Sequence, residues 1–198
     1  MGNENQKSEY MKAEITGKII WNEAMKAGLV LALISITYMF LGIPIGKISS
    51  GFLSTAIVTI LWIAKFVLCI WLMGYFMKKM VADYEGVTNA HTLRYGVLIA
   101  LLSGLVYSAM VLINAQFISN AQMMDQLNAT INSFSGMLDT NSRQALEEIK
   151  GKYVQILFFS NFIWCFIYGT ILTLFLSNGI PAKDPFANHH NEDTTDNQ

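Results

Sequence analysis

The sequence predicts an all-α, polytopic membrane protein. Four transmembrane helices form two parallel-repeat hairpins, with an amphipathic helical outer loop. Three observations carry this. Four apolar runs, at about 27–45, 53–77, 97–117 and 154–176, each approach or exceed the roughly 20 residues that a helix needs to cross a bilayer. They are apolar almost all round, whereas a helix on a soluble core keeps a polar stripe over about half its surface. The entries to alternate runs also repeat one another.

Composition agrees with one membrane domain. With 53% hydrophobic and only 14% charged residues, the charges gather in the intervals between the runs instead of spreading as on a soluble domain. The lipid bilayer is therefore the first partner. A net charge of −1 with no basic cluster argues against nucleic acid, because phosphate binding needs a concentrated Lys/Arg surface. Cys69 and Cys165 both fall inside apolar runs and read as small packing residues, not as a disulfide or metal pair. No cofactor is expected. His189 and His190 are adjacent in the tail but lack a third ligand.

In chain order, residues 1–14 read as a flexible segment, 15–186 as the membrane domain and 187–198 as a polar, acidic, disordered tail. The first 26 residues are polar and precede a full-length span, so the first helix is expected to act as its own uncleaved insertion signal. Residues 15–26 mix Ile19, Ile20, Trp21, Ala24 and Met25 with Lys18, Glu23 and Lys26. They read as a helical lead-in lying in the interface, with Trp21 at headgroup level. Gly42, Pro44, Gly46 and Gly51, with Ser49 and Ser50, predict a tight turn after the first span. Lys78 and Lys79 stop the second.

The outer loop, 118–152, has its own periodicity. Met123, Met124, Leu127, Ile131, Phe134 and Leu138 recur at three- and four-residue spacing, which predicts an amphipathic helix. Asp139, Thr140 and Asn141 interrupt it and can cap a second helix containing Leu146 and Ile149, with Glu147 and Glu148 near its first turn. Such helices are expected to rest on the bilayer surface, a docking face for an envelope partner being the alternative. Asn128-Ala129-Thr130 matches a glycosylation sequon, which has meaning only in a eukaryotic secretory context.

Cation placement predicts orientation. Lys7, Lys12, Lys18, Lys26, Lys78, Lys79, Arg94 and Lys183 share one side, against Lys47, Arg143, Lys150 and Lys152 on the other. Eight against four places both termini in the cytoplasm.

The repeat aligns residues 23–35 with 91–103 without gaps, both containing a cation, a glycine two residues on, and Ala-Leu-x-Ser. In the second and fourth spans Lys65-Phe66 and Cys69 fall on Asn161-Phe162 and Cys165. Two hairpins in parallel orientation follow, as in some transporters and many other membrane proteins.

Two features inside the spans single out residues. Gly96, Ala100, Gly104 and Ser108 recur every four residues on the third span, a nearly side-chain-free face that permits close helix contact within the chain or, alternatively, with a second copy. Lys65 lies too deep in the second span for easy snorkelling, and no Asp or Glu in any span can pair with it. A charge there costs about 2.5 to 3.5 kcal/mol on insertion scales. Its level is expected to be shared by Tyr107, Ser108, Asn161 and Tyr168, which offer hydrogen-bond acceptors. The lysine is then either satisfied by these groups or part of an anion, proton or partner-pairing site.

The stretches Ile60-Leu61-Trp62-Ile63-Ala64-Lys65-Phe66-Val67-Leu68-Cys69-Ile70-Trp71-Leu72, Phe158-Phe159-Ser160-Asn161-Phe162 and Ile180-Pro181-Ala182-Lys183-Asp184-Pro185-Phe186, with Arg94-Tyr95-Gly96, resemble the domain-of-unknown-function family 4199. The resemblance runs from about Trp21 to Phe186. It implies a four-span inner-membrane protein of Bacteroidota and carries no activity.

A non-enzymatic accessory or scaffold subunit, as a possible homo-oligomer or with a membrane-protein partner, is the leading expectation. A small oligomeric transporter or channel around Lys65 is second. Enzymatic catalysis is not expected, since it needs paired acid and base groups or a metal and the spans supply one lysine, tyrosines and an asparagine.

Overall fold

The structure, a computed structural model, describes residues 13–48, 52–134 and 140–180. The described residues form helices α1 (Gly17–Ile48), α2 (Phe52–Asp83), α3 (Asn89–Ile113), α4 (Asn120–Phe134), α5 (Thr140–Gly151) and α6 (Tyr153–Asn178). Among them, Gly17–Gly42, Thr55–Asp83, Asn89–Ile118 and Tyr153–Asn178 are long and apolar enough to cross a membrane. The chain is a multi-pass helical membrane protein.

At 32 residues, α1 is about 48 Å long, well beyond the roughly 30 Å of bilayer hydrocarbon. The lead-in expected to lie in the interface is the start of this helix. Ile20, Ala24, Ala27 and Leu31 fall on one stripe and are buried, while Trp21 is 45% exposed. The stripe packs into the same apolar core as the rest of the bundle. At its far end α1 continues through Gly42 and Pro44 to Ile48, where the sequence predicted a turn. A proline in a helix interior loses one hydrogen bond, but ending the helix at lipid depth would strand several backbone carbonyls. The connection to α2 is left to residues 49–51, outside those described.

The α2–α3 loop is tied down from two directions. Thr88 caps α3, its Oγ1 accepting from the His91 amide at 3.4 Å while His91 Nδ1 accepts from the Thr88 amide at 3.4 Å. Gly86 takes the left-handed φ of 69° that its lack of a Cβ allows. Ile15 N–H donates to the Glu85 carbonyl at 3.2 Å, and Glu85 N–H to the Ala13 carbonyl at 3.3 Å. Glu14, at the end of the segment expected to be flexible, is thus bridged to Glu85. Residues 1–12 and the tail 187–198 lie outside the described residues.

α3 is the central helix, packed chiefly on α6 and on α1; α2 leans on α1 and meets α3 and α6 only sparsely. The apolar core, with Ile20, Met73, Met77, Val87, Tyr95 and Ile180, lies toward the end that holds Ile15, the α2–α3 loop and Ile180. The bundle is closed there and looser toward α4 and α5.

The small-residue face of α3 is used within the chain. All four of Gly96, Ala100, Gly104 and Ser108 are buried. A Cβ on Gly96 would overlap Thr173, one on Gly169 would lie 2.5 Å from the Ala100 Cβ, and one on Gly104 would lie 3.3 Å from the Cys165 Cβ. The antiparallel register 96/173, 100/169, 104/165 seats α6 along the whole stripe. Gly28 and Gly96, which the repeat aligns, meet different neighbours: a Cβ on Gly28 would lie 3.0 Å from the Leu102 Cβ of α3.

Beyond α3 the helix widens into a π turn, Asn114–Ile118, burying Asn114 and Ala115. Ser119 N–H donates to the Asn114 carbonyl at 2.8 Å, and α4 follows. The outer segment does hold two helices, but Glu147 and Glu148 sit in the later turns of α5, not its first, because α5 already begins at Thr140. Glu148 there pairs with Lys152 at 2.6 Å, in the Glu-to-Lys i, i+4 order that suits a helix. Leu138 and Asp139 lie outside the described residues.

Candidate functional site: a lysine between two tyrosine faces

Lys65 on α2 holds its Nζ 5.1 Å from the ring centroid of Tyr38 on α1 and 5.1 Å from that of Tyr107 on α3. The local spacing explains the meeting. Ser35 and Tyr38 lie three apart on α1, Lys65 and Cys69 four apart on α2, so each helix presents adjacent residues on one face. Ser35 lies beside Cys69, and Cys165 of α6 comes within electrostatic reach of both Lys65 and Tyr107. Tyr38 Oη reaches the Val58 carbonyl at 3.5 Å, holding its ring against α2.

The energetics allow this arrangement. A cation–π contact contributes about 0.5 to 1 kcal/mol when exposed and about 2 or more when desolvated. Two such faces roughly offset the insertion cost of about 2.5 to 3.5 kcal/mol. Among the described residues no carboxylate pairs with Lys65.

The structure divides the expected polar level in two. Tyr107 joins Lys65, but through its ring face. Ser108 is fully buried with no hydrogen-bond partner for its Oγ, on the face turned toward α6, where the register sets it opposite Asn161. The Asn161 amide donates to the Leu157 carbonyl of its own helix at 2.8 Å. Tyr168 rests its ring on Phe66, centroids 5.3 Å apart, and is 40% exposed. Tyr38 and Ser35, which the sequence did not single out, and the two cysteines, which it read as packing residues, complete the lysine's surroundings. Depth alone signals Tyr38: it lies ten residues from the end of α1 at Ile48, and Lys65 thirteen from the start of α2 at Phe52.

Four apolar helices, a small-residue seam joining two of them, and one aromatic-walled lysine define a multi-pass helical membrane protein. The chain belongs to the family described as protein of unknown function (DUF4199), whose model matches residues 26–178, a range that takes in every candidate span except the first turns of α1. Comparison with curated proteins and with solved structures gives no match.

Proposed function

We propose that the protein is a non-enzymatic accessory or scaffold subunit of a bacterial inner membrane, in keeping with the Bacteroidota setting that the resemblance implies, with both termini in the cytoplasm. The observation that supports this reading is the isolation of α2. That helix carries a half-buried cation yet packs closely on α1 alone, and turns Trp62, Ile63, Val67 and Trp71 outward. A partner helix can cover this face and bring a carboxylate to Lys65, the expected use of an intramembrane charge. Native mass spectrometry of the gently solubilised protein tests it. A reproducible foreign subunit, lost in Lys65→Leu, supports the role, and a bare monomer in both overturns it.

A second reading, a small oligomeric transporter or channel, draws on the same lysine, because a cation held by ring faces keeps its N–H donors for an anion. A closed homo-oligomer retaining anions in that experiment favours it.

A further inference from the structure

A second charged site lies away from Lys65, at the end of the bundle where the core is closed. There α1, α2 and α3 enclose a cleft of about 140 Å³. Its floor is apolar, with Ala27 and Met80 buried and Phe76 beside them. Its walls are charged: Glu23 and Lys26 on α1, Lys79 and Asp83 on α2. Glu23 and Lys26 are paired at 2.7 Å. Tyr95, only 2% exposed, closes the back within electrostatic reach of Glu23 and Tyr84.

Each helical wall carries one ammonium and one carboxylate. α1 enters the membrane with rising residue number and α2 leaves it, so the backbone positions of Lys26 and Lys79 are the deeper members of their pairs. Glu23 and Asp83 lie roughly one turn farther out, about 4.5 to 6 Å at 1.5 Å per residue. On α1 the Lys26 ammonium turns back onto the Glu23 carboxylate, so an ammonium and a carboxylate lie side by side above the apolar floor. A zwitterionic lipid headgroup presents a matching pair of charges. The phosphate is deeper, and in an ethanolamine lipid a primary ammonium follows on a two-carbon link.

We infer that this cleft binds the phosphoethanolamine headgroup of a membrane lipid, Lys26 and Lys79 meeting the phosphate and Glu23 and Asp83 the ammonium. The balance of two cations and two carboxylates sets the selectivity. A glycerol headgroup leaves both carboxylates unmatched. A choline headgroup has the charge but no N–H to donate to them, and charge-assisted hydrogen bonds are the stronger kind.

The test uses the full chain in nanodiscs containing equal amounts of phosphatidylethanolamine, phosphatidylcholine and phosphatidylglycerol, with the lipid that survives mild detergent extraction identified by native mass spectrometry. The wild type should retain the ethanolamine lipid about tenfold over each of the others, the ratio expected from one charge-assisted hydrogen bond gained. The Glu23→Gln, Asp83→Asn double variant should lose the preference over choline. Lys79→Ala should lower retention of all three lipids, and Lys78→Ala, outside the cleft, should change nothing. Soluble O-phosphoethanolamine should displace the lipid, whereas inorganic phosphate should not. Equal retention of the three lipids by the wild type, a preference unchanged in the double variant, or displacement by inorganic phosphate alone would each overturn the inference. The wild-type comparison stands even where a variant fails to fold.

Discussion

Thr173 is pinned over Gly96. Its Oγ1 donates to the Gly169 carbonyl at 2.8 Å, which fixes its rotamer and sets the hydroxyl and methyl against the bare α-carbon of Gly96, with Oγ1 2.8 Å from where a Cβ would stand. The contact is a lock between α3 and α6. The Thr173 side chain cannot turn away without leaving a buried hydroxyl unbonded or opening a gap in this close helix seam.

The first prediction follows from that lock. Gly96→Ala and Gly169→Ala should each lower thermal stability in detergent by the equivalent of about 1 to 3 kcal/mol, the usual cost of overpacking. Gly104→Ala should cost less, because its new methyl would sit 3.3 Å from the Cys165 Cβ, near ordinary contact. Gly42→Ala meets nothing within 4 Å and should be neutral or stabilising, as replacing a mid-helix glycine by alanine gains about 0.5 to 1 kcal/mol. Equal melting temperatures across the four variants would remove the seam as the source of stability.

For Lys65 the prediction is a coupling. Tyr107→Leu should cost more with lysine present than in a Lys65→Met background, the difference being about 0.5 to 2 kcal/mol in a double-mutant cycle. Tyr38→Leu should behave alike. Lys65→Leu should insert normally, since it removes the desolvation cost, while Lys65→Glu should perturb the site because the tyrosine faces repel an anion. A coupling of zero at both tyrosines would leave the lysine without its proposed aromatic support.

Much of this was legible in the sequence. The four spans could be read because bilayer thickness imposes a length that composition reports directly, and the Gly96 to Ser108 stripe because side-chain-free faces have one strong use in lipid. Where α1 begins and ends was not legible. Ile20 and Ala24 look interfacial by composition and are core by position, and Pro44 looks like a breaker until the cost of exposing backbone to lipid is counted. The environment of Lys65 was half legible. An apolar span advertises its hydroxyls and amides as partners, whereas the ring faces of Tyr38 and Tyr107 lie against the ammonium group. Whether Asn161 turns to its neighbour or to its own helix depends on a rotamer, and no spacing encodes that.

The loop end of the molecule gives a third prediction. Thr88→Ala should cost about 1 kcal/mol by removing the cap of α3. Thr88 also accepts at its carbonyl from the Thr92 hydroxyl at 3.2 Å, so that second bond survives the substitution. Serine at position 88 should restore most of the loss. If alanine and serine melt alike, the cap contributes nothing.

The final prediction concerns orientation, for which the cation asymmetry is the argument. Cys69 and Cys165 lie within the spans, so replacing both by alanine gives a background for single cysteines at exposed positions. Glu85, in the α2–α3 loop, and Ala129, on α4, are both exposed and lie at opposite ends of the bundle. With Lys18, Lys26, Lys78, Lys79 and Arg94 at the Glu85 end, against Lys47, Arg143, Lys150 and Lys152 at the Ala129 end, the excess of cations predicts that the Glu85 end faces the cytoplasm. Ala129→Cys should therefore react with a membrane-impermeant maleimide in intact spheroplasts, and Glu85→Cys only after permeabilisation. Reaction at position 85 in intact spheroplasts, with position 129 protected, would invert the topology and put the headgroup cleft in the opposite leaflet.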